Sequence, residues 1–200
     1  MDLLNKIQSL QKNVNLPSKK DLKESLQVVN KILEEENNLF PINYRPLNSK
    51  NHIGGLLDFS DNLTTIIVPD LHARVDFIPA LLNYQIEIPL ENKTTKLSVY
   101  KALQQGLVRI ICLGDGLHAE RLAKTRWILA YDDFYYLENE KSEAMEEEMA
   151  EGLTTMTMIM ECKKAFPFHF HFLKGNHENI TNSSDHGNMP FSKFAYEGQM

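Results

Sequence analysis

Apolar residues in the N-terminal segment recur at helical spacing. Leu3, Leu4, Ile7 and Leu10 mark one face of a short helix. Pro17 interrupts it, and Ser18 with Asp21 has the spacing of a helix start; Leu22, Leu26, Val29 and Leu33 then continue as a second stripe. Residues 40–62 are rich in Pro, Gly, Asn and Asp and predict a loop. The β-branched run from Thr64 to Val68 predicts a buried strand, and "FIPALLNYQIE", residues 77–87, a helix. "ENKTTK" reads as a polar loop, "LSVYKALQQG" as a helix stopped by Gly106, and "LVRIICLGD" as a second buried strand. Helices are expected from about Ala119 to Tyr136 and from Ser142 to Lys164. The latter carries Met145, Met149, Leu153, Met156 and Met160 on one face, a stripe expected in a core. "FPFHFHFLKGN" supplies the third strand.

Strands alternating with helices predict an α/β architecture, and near-continuous apolar strands predict a sheet covered on both faces. Residues 1–50 are expected to be a helical extension and linker, and residues 51–200 the main domain. The helical pair could pack on that domain, pair with a second copy or bind a partner.

Composition narrows the function classes. Net charge is −6, and nine acidic residues stand against one lysine between Asp132 and Glu151, which reads as a solvated helix face. No basic surface suited to tracking a nucleic-acid backbone is evident. No apolar run is long enough to span a membrane, and the N-terminus lacks a secretory pattern, so the cytoplasm is the expected compartment. Cys112 and Cys162 lie in apolar segments without metal-ligand spacing and read as buried free thiols.

Chemistry concentrates where the predicted strands end. The first runs into Asp70-Leu71-His72, the second into Gly114-Asp115-Gly116, and the third into Gly175-Asn176-His177-Glu178. Taken singly, each is an ordinary polar turn. In open α/β sheets, however, ligands gather beyond the carboxyl ends of the strands. Carboxylate, imidazole and amide donors converging there suit Mn, Fe or Zn. Glycines before Asp115 and Asn176 permit tight turns and close approach.

These three motifs, in this order over roughly residues 64–180, resemble the Asp-x-His, Gly-Asp and Gly-Asn-His-(Asp/Glu) signature of calcineurin-like metallophosphoesterases, which include the phosphoprotein phosphatases. The resemblance implies the N-terminal half of a β-sandwich flanked by helices, two divalent metal ions and a phosphate-ester substrate. It implies that Asp70 and His72 bind the first metal, that Asp115 bridges both, and that Asn176 binds the second. His177 would be general acid or transition-state stabiliser, and Glu178 a supporting residue.

The chain also departs from that pattern. His118 stands where the phosphatases have the aspartate that pairs with the catalytic histidine, and Ala119 where they have a phosphate-holding arginine. His118 is therefore a candidate site residue. Arg74 and Arg121 could hold the phosphate, or could form structural ion pairs. The resemblance calls for two further histidines on later strands, whereas only His186 follows His177, in a polar loop. His169 and His171 alternate along the third strand away from its tip, and His52 carries no ligand spacing. The chain is therefore expected to be the N-terminal part of a larger, weakly active phosphoesterase whose uncovered sheet or helical extension could self-associate. A non-catalytic regulatory or assembly domain retaining part of the metal site is the alternative.

Overall fold

The computed structural model describes residues 2–39, 44–90, 93–119, 124–138 and 141–178. Among these it is mixed α/β, with six helices, a three-stranded parallel sheet and an antiparallel pair. None of the described helices is long and apolar enough to cross a membrane.

Helix α1 (Leu3–Lys12) and helix α2 (Lys19–Leu39) form as the apolar stripes predict. Ser18 starts the second, its Oγ accepting from Asp21 N at 3.1 Å and donating to Asp21 Oδ2 at 2.7 Å. Of the arrangements the sequence leaves open, packing on the domain is the one observed. Ile7 is fully buried in the main core, Lys6 pairs with Glu161 at 2.9 Å, and Tyr100 donates to Asp2 at 2.6 Å.

Strands β1 (Thr64–Val68), β4 (Val108–Cys112) and β5 (Phe170–Phe172) lie in the order β1-β4-β5, all parallel. Their register aligns Val68, Cys112 and Phe172 in one row and Ile67, Ile111 and His171 in the next. Side chains alternate across a sheet, so Val68, Ile110, Cys112 and Phe170 share one face. That face belongs to one core with Met158, Ile159 and Cys162 of helix α6 (Glu143–Ala165). Burial pushes the Cys112 thiol up to about 12, and both cysteines are free and buried, as expected.

Between β1 and β4 the sequence reading needs correction. Helix α3 (Phe77–Asn83) stops well before Glu87, because Tyr84 turns extended. Residues 85–90 then form strand β2 (Gln85–Leu90), paired antiparallel with strand β3 (Lys93–Ser98), which occupies most of the expected "ENKTTK" loop. Alternation explains the outcome: Ile88 is buried, whereas Gln85 and Glu87 face solvent. Helix α4 (Val99–Gln104) follows, with Ser98 Oγ accepting from Lys101 N.

Expected coverage on both sheet faces also fails among the described residues. Ile67 is 55% exposed, so the second face is open at β1. Further along, Tyr44 and Phe59 pack their rings against His171 at 5.5 and 5.1 Å. Arg109 lies under Phe59, 3.6 Å from its ring centre, and pairs with Asp61.

His171 is thus a core histidine, its Nε2 donating to the Phe168 carbonyl at 3.1 Å. Burial, reinforced by the positive charge of Lys163, pushes its pKa down to about 3. An unfolded histidine takes up its proton near pH 6.5. As pH falls below that value the unfolded chain binds a proton the fold refuses, so stability declines towards pH 3, by up to about 1.4 kcal/mol per pH unit. The expected result is that urea midpoints measured from pH 7.5 down to pH 4 fall less steeply for His171→Phe than for the parent. Equal slopes would remove His171 as the acid-sensitive group.

Candidate metal centre

The carboxyl ends of β1, β4 and β5 open side by side, and the chain beyond them stays stitched together. Leu113 N bonds to Val68 O and Leu173 N to Cys112 O, each at 2.9 Å. Past the strands, His72 N donates to Asp115 O at 2.6 Å and Ala73 N to Gly116 O at 3.1 Å. The three loops therefore form one rim. Four non-glycine residues on it, His72, Ala73, Asp115 and His118, hold φ between 46° and 67°. Left-handed backbone at such residues is sparsely populated and persists where surrounding contacts over-determine it.

Two glycines let the rim close. Gly114 has φ of 112°, and a Cβ there would overlap the Gly175 backbone. A Cβ on Gly175 would in turn overlap Asp115 Oδ1 and its amide nitrogen. Backbone thus meets backbone, with Asp115 between them, and no larger residue fits at either position.

Glu178 fastens this junction. Its carboxylate accepts from Asp115 N at 2.8 Å, Gly116 N at 2.7 Å and Gly175 N at 2.8 Å. It is engaged with backbone and supports the loops. Asp115 Oδ1 accepts from His177 N at 2.9 Å, so the carboxylate at the second strand end fixes the histidine at the third.

The donor atoms of Asp70, His72 and Asp115 all lie within 4.8 Å of one another, a group that could hold a metal ion. Asp70 is exposed, His72 partly so, and Asp115 buried. The donor chemistry fits a cation. His72 Nδ1 lies 3.2 Å from the His118 carbonyl, which can only accept, so Nδ1 carries the proton. In the neutral ring Nε2 then presents its lone pair, 4.0 Å from Asp70 Oδ2. Orientation of a histidine through its other nitrogen is the usual support for a metal ligand.

Asn176 and His177 stand on the same rim, half-buried and buried respectively. The His118 ring lies flat on that of His177, with centroids 4.2 Å apart and planes 8° from parallel. His118 is thereby brought to the site. Arg74 is not: its guanidinium engages Asp76, with Nη2 at 3.1 Å, in an exposed ion pair two residues along the chain. Of the two alternatives for Arg74, the structural ion pair is the one formed. Arg121 and His186 lie outside the described residues.

Two contributors escape the sequence reading. Glu148, expected on a solvated acidic face, is 2% exposed. It accepts from Ala119 N at 2.9 Å and from Arg126 Nη2 at 2.9 Å, which secures the loop carrying His118. Trp127, on helix α5 (Lys124–Tyr135), meets the His118 ring edge-on at 5.2 Å. Its signal was the spacing of Trp127, Tyr131 and Tyr135, one helical turn apart. Comparison of the chain with protein-family models, curated proteins and solved structures finds no match.

Proposed function

We propose that this chain is a metal-dependent phosphoesterase of the calcineurin-like kind. The observation that carries the reading is the convergence of three strand ends. Asp70, His72 and Asp115 place their donors within 4.8 Å, and Asp115 also holds the backbone of His177. Asp70 and His72 would hold one divalent ion, Asp115 would bridge to a second, and Asn176 would hold that second ion through its amide oxygen. Bound divalent ions lower the pKa of water and stabilise negative charge on phosphoryl oxygens.

The chain's own residues supply orientation and proton handling. His177, clamped through its amide nitrogen and covered by His118, would hold or deliver a proton at the leaving oxygen. Glu178 keeps the second and third loops in register, so donor and proton carrier stay together. The finer fold belongs to the same proposal: the sheet face open at Ile67 is in keeping with one layer of a two-layer sandwich.

The test is manganese-dependent release of phosphate from a generic aryl phosphate, by the parent and by Asp115→Asn. Release by the parent that is lost in the variant supports the reading. A second reading, a non-catalytic domain with a residual site, has one observation in its favour. The described His, Cys, Asp and Glu residues form a single three-residue donor group, where two ions need more. A parent chain that binds manganese yet releases no phosphate would establish that second reading.

A further inference from the structure

The bond from His177 N to Asp115 Oδ1, at 2.9 Å, places the backbone of that residue. It leaves open the two side-chain torsions, which decide where each ring nitrogen points. The ring of His118 closes them. The two imidazoles have centroids 4.2 Å apart and planes 8° from parallel, so tilting the His177 ring drives it into its neighbour.

Stacking also settles how His118 acts. Imidazole nitrogens donate and accept in the plane of their ring, and two parallel planes offer no such line from one ring to the other. His118 therefore meets His177 through its face and not through a hydrogen bond.

His118 is itself held from several sides. Its backbone is left-handed, with φ of 67°, and the next amide, Ala119 N, donates to the buried Glu148 at 2.9 Å. Trp127 meets its ring edge-on at 5.2 Å. The residue also reaches the strand-end donors directly. Its carbonyl takes His72 Nδ1 at 3.2 Å, and the His72 ring lies 5.7 Å from that of His177 and 6.1 Å from that of His118. We infer that His118 is a positioning residue, whose ring face sets the ring of His177 beside the metal ligands. This rests on the phosphoesterase reading, in which His177 handles the proton, and adds the residue that aims it.

Two substitutions separate the face from the nitrogens. His118→Phe keeps a flat ring and removes both nitrogens. His118→Asn keeps a polar amide, suits the left-handed backbone and removes the ring. Both retain the carbonyl that orients His72, so manganese affinity should hold in each. With an aryl phosphate and manganese, His118→Asn should lower kcat about 10- to 100-fold at unchanged KM, and His118→Phe by less than about threefold.

The metal-free protein gives a readout independent of hydrolysis. In its proton NMR spectrum the His177 ring signals, identified by their absence from His177→Gln, should lie upfield, shielded by the stacked ring. His118→Phe should keep that displacement and His118→Asn abolish it. Signals that do not move in His118→Asn would overturn the inference, and that variant decides alone where His118→Phe does not fold. A folded Phe variant as slow as the Asn variant would overturn it too, because His118 would then act through its nitrogens. A parent that releases no phosphate removes the phosphoesterase reading, while the spectra still decide whether His118 sets the His177 ring.

Discussion

Replacing Asp115 with asparagine is expected to lower manganese-dependent phosphate release at least about a hundredfold while leaving the fold intact. Loss of a residue that merely orients a metal ligand already reduces affinity or activity about 10- to 100-fold, and Asp115 is proposed as a ligand itself. The variant separates ligand from scaffold because of how the side chain is used. Asparagine retains an Oδ1 able to accept from His177 N, the 2.9 Å bond that fixes the third loop. The Asp115 backbone is held independently, through its amide to Glu178 and its carbonyl to His72 N. What changes is the negative charge in a buried position beside Asp70 and His72. Near-ultraviolet circular dichroism should be unaltered, manganese binding by calorimetry weakened, and the hydrolysis rate lost. Equal rates in parent and variant would sink the assignment of Asp115 as bridging ligand.

Asp115 is legible in the sequence because polar residues interrupt the apolar runs there. Within three residues of its end, each of the three parallel strands reaches a glycine or an acid, and parallel strands must bring those ends to one edge. Roles that depend on tertiary partners were less legible. Arg74 could serve a phosphate or a neighbour, and Asp76 two residues on decides it through a local fork. Glu148 sat within an acidic run that looks solvated. Its burial follows from register: Met145, Glu148, Gly152, Thr155, Ile159 and Cys162 recur at helical spacing, and all are buried. The charge run masked a period that the methionine stripe only partly traced.

The β2–β3 hairpin was hidden by coincidence of period. Leu82 and Ile86 are four apart, so a helical stripe seems to continue past Asn83, while Ile86 and Ile88 fit a strand equally well. Backbone at Tyr84 settles it, with φ −61° and ψ 137°. Likewise, five β-branched residues in β1 read as doubly buried, yet the face bearing Ile67 is open at β1 among the described residues. Coverage belongs to the rest of the fold and leaves no trace in a five-residue run.

The largest stability effect is expected at the opposite end of β5 from the proposed chemistry. Glu36 is fully buried and pairs with Lys163 and Arg45, whose side chains are 7% and 16% exposed. Lys163 also donates to the Pro167 carbonyl at 2.6 Å, in the turn that leads into β5. One carboxylate therefore joins α2 to α6 and to Arg45, and Lys163 carries the link on to the turn before β5. Burial lowers the Lys163 pKa, and Glu36 opposes that shift. Glu36→Ala leaves two cations without their counter-charge in a region of low dielectric, and should destabilise the fold by about 3–5 kcal/mol. Lys163→Met alone should be similarly harmful, because it strands part of the carboxylate. The double variant Glu36→Ala/Lys163→Met removes the Glu36–Lys163 pair and leaves Arg45 with its bond to the Gly54 carbonyl, so it should recover part of the loss. Urea denaturation of the four proteins measures the coupling. Glu36→Ala within 1 kcal/mol of the parent would show that water reaches the cluster and that it does not anchor the third strand.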